Sequence, residues 1–172
     1  FLTTVLVFTG VSDPVNAPKM VVLATLAFGL SGVLLFSKSR RALFENKILS
    51  AATLMFVVFA VFAVTQSESS FNQNFYGTFG RNTGLLTYLS LALLLLISAT
   101  IRNLNSFRFL LWSLLIAGFV NVAYCLWVVI FGDFIPWTNP YKNILGTLGN
   151  PNFIGAFLGI FISVYFAYLL QP

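Results

Sequence analysis

The stretch Gly146-Thr147-Leu148-Gly149-Asn150-Pro151-Asn152-Phe153 decides how this chain is read. It lies where a polar segment runs into the last apolar run of the sequence. Two glycines let the backbone turn tightly and come close to a ligand. Asn150 suits the N-cap of a helix, and Pro151 suits the first helical position, where a missing N–H is no loss. The stretch therefore predicts a loop, a tight turn and a capped helix start, with Gly146, Gly149, Asn150, Pro151 and Asn152 as the structural motif. N–H groups at a helix start carry partial positive charge, which suits an anion such as a phosphate. The same residues also serve any hairpin between two membrane helices, so a structural and an anion-binding reading both stand. An earlier stretch, Gly77-Thr78-Phe79-Gly80-Arg81-Asn82-Thr83-Gly84, repeats the pattern of Gly-Thr-apolar-Gly, a polar run and then an apolar run.

Working outward, the 172 residues are 59% hydrophobic and 8% charged, against roughly 25% charged in soluble domains. This predicts an all-α polytopic membrane protein. Crossing the hydrocarbon core takes ~20 mostly apolar residues in a helix. On that measure the expected spans are 1–11 (lacking its start), 20–37, 48–65, 85–101, 109–132 and 151–170, about six in a single transmembrane domain. The chain starts at Phe1 inside an apolar run and stops at Pro172 just after another, which predicts a piece of a longer protein. No charged residue is expected within a span. Gly29, Ser31 and Gly32 mark a close helix contact, and Asn121 is expected to face protein and hydrogen-bond across helices.

Loops 38–47 and 102–108 hold six basic residues, Lys38, Arg40, Arg41, Lys47, Arg102 and Arg108, against the one acid Glu45. The alternate loops hold three, Lys19, Arg81 and Lys142, against Asp13, Glu68 and Asp133. The bias puts the first set, and the N-terminus, on the cytoplasmic side. Both glycine-rich stretches then face outward, with Phe75, Tyr76, Trp137 and Tyr141 as an interfacial belt. The net charge of +5 follows this topology and points to no nucleic acid. The chain has no histidine and one cysteine, Cys125. That excludes imidazole chemistry and an internal disulfide within these residues, and Cys125 reads as a small buried apolar residue. No metal site, cofactor or catalytic residue is read from the sequence.

Lys19, Arg81 and Lys142 each lie near the start of an inward-running helix and are the candidates for gripping an anionic headgroup. The alternative is that each is a solvated charge offset by the acid of its own loop. Arg81 is the sharpest candidate, because a guanidinium holds a phosphate through two parallel hydrogen bonds.

The 146–153 stretch opening a helix resembles the O-antigen ligase family, which includes O-antigen polymerases and protein O-oligosaccharyltransferases. Residues 77–88, Gly77-Thr78-Phe79-Gly80-Arg81-Asn82-Thr83-Gly84-Leu85-Leu86-Thr87-Tyr88, look like a helix-entry segment of that family, and Asp13-Pro14 followed by Pro18-Lys19 resembles its first outer loop. The resemblance covers this chain but only the first half of a typical member. It implies part of a multi-pass glycosyltransferase of the bacterial inner membrane, with the GT-C-like ligase fold. Such enzymes move a glycan from an undecaprenyl-pyrophosphate carrier to an acceptor on the outer side, without metal or nucleotide sugar. The arginines and histidine tied to catalysis belong to the family's second half, so these residues alone should be inactive. The competing expectation is a non-catalytic membrane subunit packed in a larger complex. A transporter is disfavoured by the lack of ionisable groups inside the spans.

Overall fold

The computed structural model describes residues 1–37, 41, 44–135 and 143–170. Among these the chain is helical: α1 (Leu2–Val5), α2 (Asn16–Phe36), α3 (Lys47–Thr65), α4 (Phe71–Tyr76), α5 (Leu85–Ser98), α6 (Leu104–Phe131), a 3₁₀ turn (Gly146–Leu148) and α7 (Pro151–Leu169). Its residues are distributed opposite to those of a soluble protein. Asn121 and Ser90 are fully buried, and Thr53, Thr147 and Asp13 nearly so, while Phe36 is 96% and Ile48 84% exposed. Polar groups turned inward and large apolar side chains turned outward are what a hydrocarbon solvent selects. The chain is a helical membrane protein.

Four helices, α2, α3, α6 and α7, are long and apolar enough to cross a membrane, where the sequence predicts about six spans. Two expected spans fall short. Residues 1–11 form only the four-residue α1: Leu6 is extended, and Phe8 N donates to Pro14 O, turning the strand back on itself. The run is apolar, but Thr3, Thr4, Val5 and Val7 are β-branched, and the Thr4 hydroxyl bonds back to Phe1 O, which favours leaving the helix. Span 85–101 is the 14-residue α5, about 21 Å long against a core of ~30 Å. Ser98 and Thr100 hydroxyls cap carbonyls of the last turn and end it there.

α7 starts at Pro151 as expected, and the other three spans start earlier than expected. α2 begins at Asn16 rather than residue 20, because Asp13 Oδ1 accepts from Val15 N and Asn16 N at 3.2 and 2.9 Å. Pro18 is tolerated because first-turn N–H groups need no helical acceptor. α6 begins at Leu104 rather than 109, and α3 at Lys47, where Asn46 caps Leu49 N at 3.0 Å. Lys19, Lys47 and Arg108 therefore lie inside helices, each near its start, where the sequence puts them in loops. Residues 66–84, read as one polar loop, contain α4, capped by Ser70 and ended by Gly77.

Within the expected single domain, the chain forms two compact units: Phe1–Lys19 with Leu104–Pro172, and Met20–Asn103. In the first, α6 packs against α7, and α1 and the 3₁₀ turn pack against α6. Gly118 makes the α6–α7 approach possible, since a Cβ there would sit 2.0 Å from the Phe161 ring. Buried α6 residues Leu115, Ala117, Gly118, Asn121 and Tyr124 share one helical face at three- and four-residue spacing. In the second unit α5 packs against α3 and α4. Arg102 pairs with Glu45 at 2.7 Å, joining the two basic connections at one end of this unit. Both side chains are more than half exposed, so the pair contributes little stability. Gly29 and Gly32 have open space where a Cβ would sit. Of the three small residues only Ser31 is buried, and its hydroxyl donates to Ala27 O of its own helix.

Candidate functional site

The two glycine-rich stretches lie in different units. In the first unit, residues 146–152 form the predicted sequence of turn and helix start. Gly149 takes the left-handed conformation at φ 68°, Asn150 Oδ1 accepts from Asn152 N at 2.9 Å, and Pro151 is the first residue of α7. The turn is tied down from three sides. Asn121 Oδ1 accepts from Thr147 N at 3.3 Å. The Thr147 hydroxyl lies 2.7 Å from that oxygen and 2.6 Å from Thr4 O, with one proton to donate between them. Asn121 Nδ2 donates to Ala117 O at 3.0 Å. Lys19, half-buried in the first turn of α2, donates from Nζ to Thr147 O. Val15 packs against Gly149, where a Cβ would sit 2.8 Å from its Cγ2.

Lys19 is thus brought to the motif, with one of its three N–H donors on the turn's carbonyl. Asn121 bonds to this turn and, through Nδ2, to Thr4 O of the short helix α1 at 3.5 Å, rather than to another long helix. Neither Thr4 nor Thr147 stands out in the sequence as a partner, because the contacts cross 26 to 143 residues. Asp13 is also legible only in hindsight. Its Oδ1 holds the start of α2, while its Oδ2 is buried with no hydrogen-bond partner among the described residues.

In the second unit, residues 77–84 form a closed loop. Gly77 has φ 92°, and a Cβ on it would lie 2.4 Å from Thr83 N. A Cβ on Gly84 would lie 2.3 Å from Gly77 N and 2.4 Å from Phe75 O. The two glycines therefore close the loop backbone to backbone, an approach no side chain permits. Arg81 N and Asn82 N both donate to Thr78 O, at 3.1 and 3.0 Å, and Asn82 takes φ 49°. The loop points its chemistry outward: Arg81 is exposed and makes no ion pair with Glu68 or any other described residue. The expected offset by the loop's own acid is therefore not what is found. Phe71, Phe75 and Tyr76 of α4 form an aromatic cluster beside the loop, with centroids 5.3 and 4.9 Å apart.

Below the loop, α5 starts at Leu85 with Gly84 as its cap and no side chain bonded to its first N–H groups. α3, α4 and α7 are each capped by a side chain. A cavity of about 450 Å³ opens at this start, lined among others by Ser67, Gln73, Asn74, Thr83, Gly84 and Tyr88. Arg81 stands two residues before Thr83. The ingredients are a guanidinium, a free helix start and neutral hydrogen-bonding groups, which suit binding an anion rather than making or breaking a bond.

Of the three basic candidates, Arg81 belongs to this loop, Lys19 to the first unit, and Lys142 lies outside the described residues, as do Trp137 and Tyr141. No group of three or more Cys, Asp or Glu side chains able to hold a metal occurs among the described residues. No family model, curated protein or solved structure matches the chain.

Proposed function

We propose that the chain is the N-terminal half of an O-antigen-ligase-like glycosyltransferase of the bacterial inner membrane, and that residues 77–84 hold the pyrophosphate of its undecaprenyl-linked glycan donor on the outer side. The observation that carries this reading is the state of Arg81. It is exposed, without an ion-pair partner among the described residues, on a loop whose backbone is fixed by Gly77 and Gly84. The uncapped start of α5 adds partial positive charge on the same side of the loop. The bias of basic residues toward loops 38–47 and 102–108 supports an outward-facing loop. The motif order along the chain supports the family. Lys19 holds the turn before α7 through Thr147 O and, with Lys142, remains a candidate phosphate ligand in this reading.

The test is donor binding and glycan transfer by the intact protein carrying Arg81→Ala, Arg81→Lys or Glu68→Ala. Losing a charged hydrogen bond of this kind costs ~1.5–3 kcal/mol, so Arg81→Ala should weaken donor binding roughly 10- to 150-fold. Arg81→Lys should recover part of that, because an ammonium cannot form the bidentate pair. Glu68→Ala should leave binding unchanged. Normal binding and transfer by Arg81→Ala would exclude the donor site. Absence of any donor binding to the unmodified protein would favour the non-catalytic membrane subunit.

A further inference from the structure

The unit Met20–Asn103 carries a crevice of about 380 Å³ toward the end of α3 that lies away from residues 77–84. Phe28 of α2, Leu54 and Val57 of α3, Leu89 and Leu96 of α5, and Phe44 line it. The Thr53 hydroxyl in its wall donates to Leu49 O of its own helix at 2.8 Å, so the wall meets a ligand with hydrocarbon. The lining side chains are themselves open: Leu54 is 64%, Phe44 58% and Phe28 47% exposed. On membrane-spanning helices, such an opening faces lipid.

The outer edge of the crevice is charged. Ala51 and Leu54 in its wall share a helical face with Lys47, four and seven residues before them. Lys47 is the first residue of α3 and is exposed, with no acid in that first turn and no ion pair among the described residues. The partial positive charge of the helix start opposes a cation there, and an anion relieves both. Arg102 lies at the same end, paired with Glu45, the neighbour of Phe44, so Lys47, Arg102 and Glu45 leave a net positive charge. From Lys47 to Val57, α3 rises about 15 Å at 1.5 Å per residue. Half of a ~30 Å hydrocarbon core is also about 15 Å. The crevice therefore has the depth of one leaflet, with its cation at headgroup level. We infer that it binds an anionic phospholipid of the leaflet that the basic-residue bias assigns to the cytoplasm, with an acyl chain in the crevice and the phosphate beside Lys47. The site is at the opposite end of α3 from residues 77–84 and does not depend on a donor bound there.

The test titrates the full chain in detergent with three lipids and reads bound lipid by native mass spectrometry. The lipids are dipalmitoyl phosphatidylglycerol, dihexanoyl phosphatidylglycerol and dipalmitoyl phosphatidylcholine. The unmodified protein should bind the long-chain anionic lipid most tightly. Lys47→Gln should weaken it about fivefold, the share of one basic residue near an anionic headgroup, and leave phosphatidylcholine unchanged. Leu54→Trp narrows the deep part of the crevice and should weaken the long-chain anionic lipid about tenfold, the equivalent of losing about two buried methylenes, with the short-chain lipid unchanged. Leu54→Phe, a smaller intrusion at the same exposed position, should act in the same direction more weakly and serves if the tryptophan variant fails to fold. Arg81→Ala should leave all three lipids unchanged. Equal affinity for phosphatidylcholine and phosphatidylglycerol, or a silent Lys47→Gln, would overturn the inference, because the headgroup charge would not be read. An effect of Lys47→Gln with no effect of either Leu54 variant would also overturn it, because the acyl chain would lie elsewhere. Absence of any bound phosphatidylglycerol would do the same.

Discussion

Residues 146–152 and 77–84 share a sequence pattern and differ in what holds them. The first is a short 3₁₀ turn and a side-chain-capped helix start, tied by buried bonds to Thr4, Lys19 and Asn121. The second is held by its own backbone, through two glycines that touch, and among the described residues Arg81 has no ion pair and the start of α5 no side-chain cap. Spacing alone cannot separate a turn that supports the fold from one that is free to bind. The deciding information is in distant residues that either satisfy the turn's polar groups or leave them open.

The contrast is broken most severely at Gly84. Gly84→Ala forces a methyl into three backbone atoms, with no flexible side chain to give way. Overpacking typically costs 1–3 kcal/mol. A backbone clash belongs at the upper end, so a loss of about 3 kcal/mol is expected in reversible unfolding in bicelles. Next comes Asn121→Leu, which keeps the volume but leaves Thr147 N–H buried without its acceptor. A stranded donor costs ~1–3 kcal/mol, and a loss of about 2 kcal/mol is expected in the same measurement, with residues 77–84 unaffected. Smaller still is Asn150→Ala, which removes only the cap of α7. It should cost ~1 kcal/mol and speed amide exchange in the first turn of that helix. If Asn121→Leu were silent, the buried bonds would not be what locks the 146–152 turn.

Much of the fold is legible in the sequence because hydrocarbon imposes one dominant rule. The apolar runs that became α2, α3, α6 and α7, the Asn150 cap, Pro151 at the helix start and the inward-facing Asn121 all follow from composition and local chemistry. What failed did so for reasons that a hydropathy run does not record. Asp13 draws the start of α2 back to Asn16 through side-chain acceptance. Hydroxyls at Ser98 and Thr100 shorten α5. α4 is a single capped turn-and-a-half inside a polar segment. At the site, Arg81 was legible as a candidate from its glycine neighbours. The role of Lys19 was not, because its partner is a backbone carbonyl 128 residues away.

The most direct test of the contrast is hydrogen–deuterium exchange of the full chain in nanodiscs, read on peptides covering 77–84 and 146–152, with and without a long-chain polyprenyl pyrophosphate. Thr147 N, already bonded to a buried side chain, should exchange slowly in both conditions. Amides at the start of α5 and in the loop before it should exchange fast alone and slow when the lipid is added. Slowing confined to 146–152, with 77–84 unchanged, would contradict the assignment of one turn to structure and the other to binding.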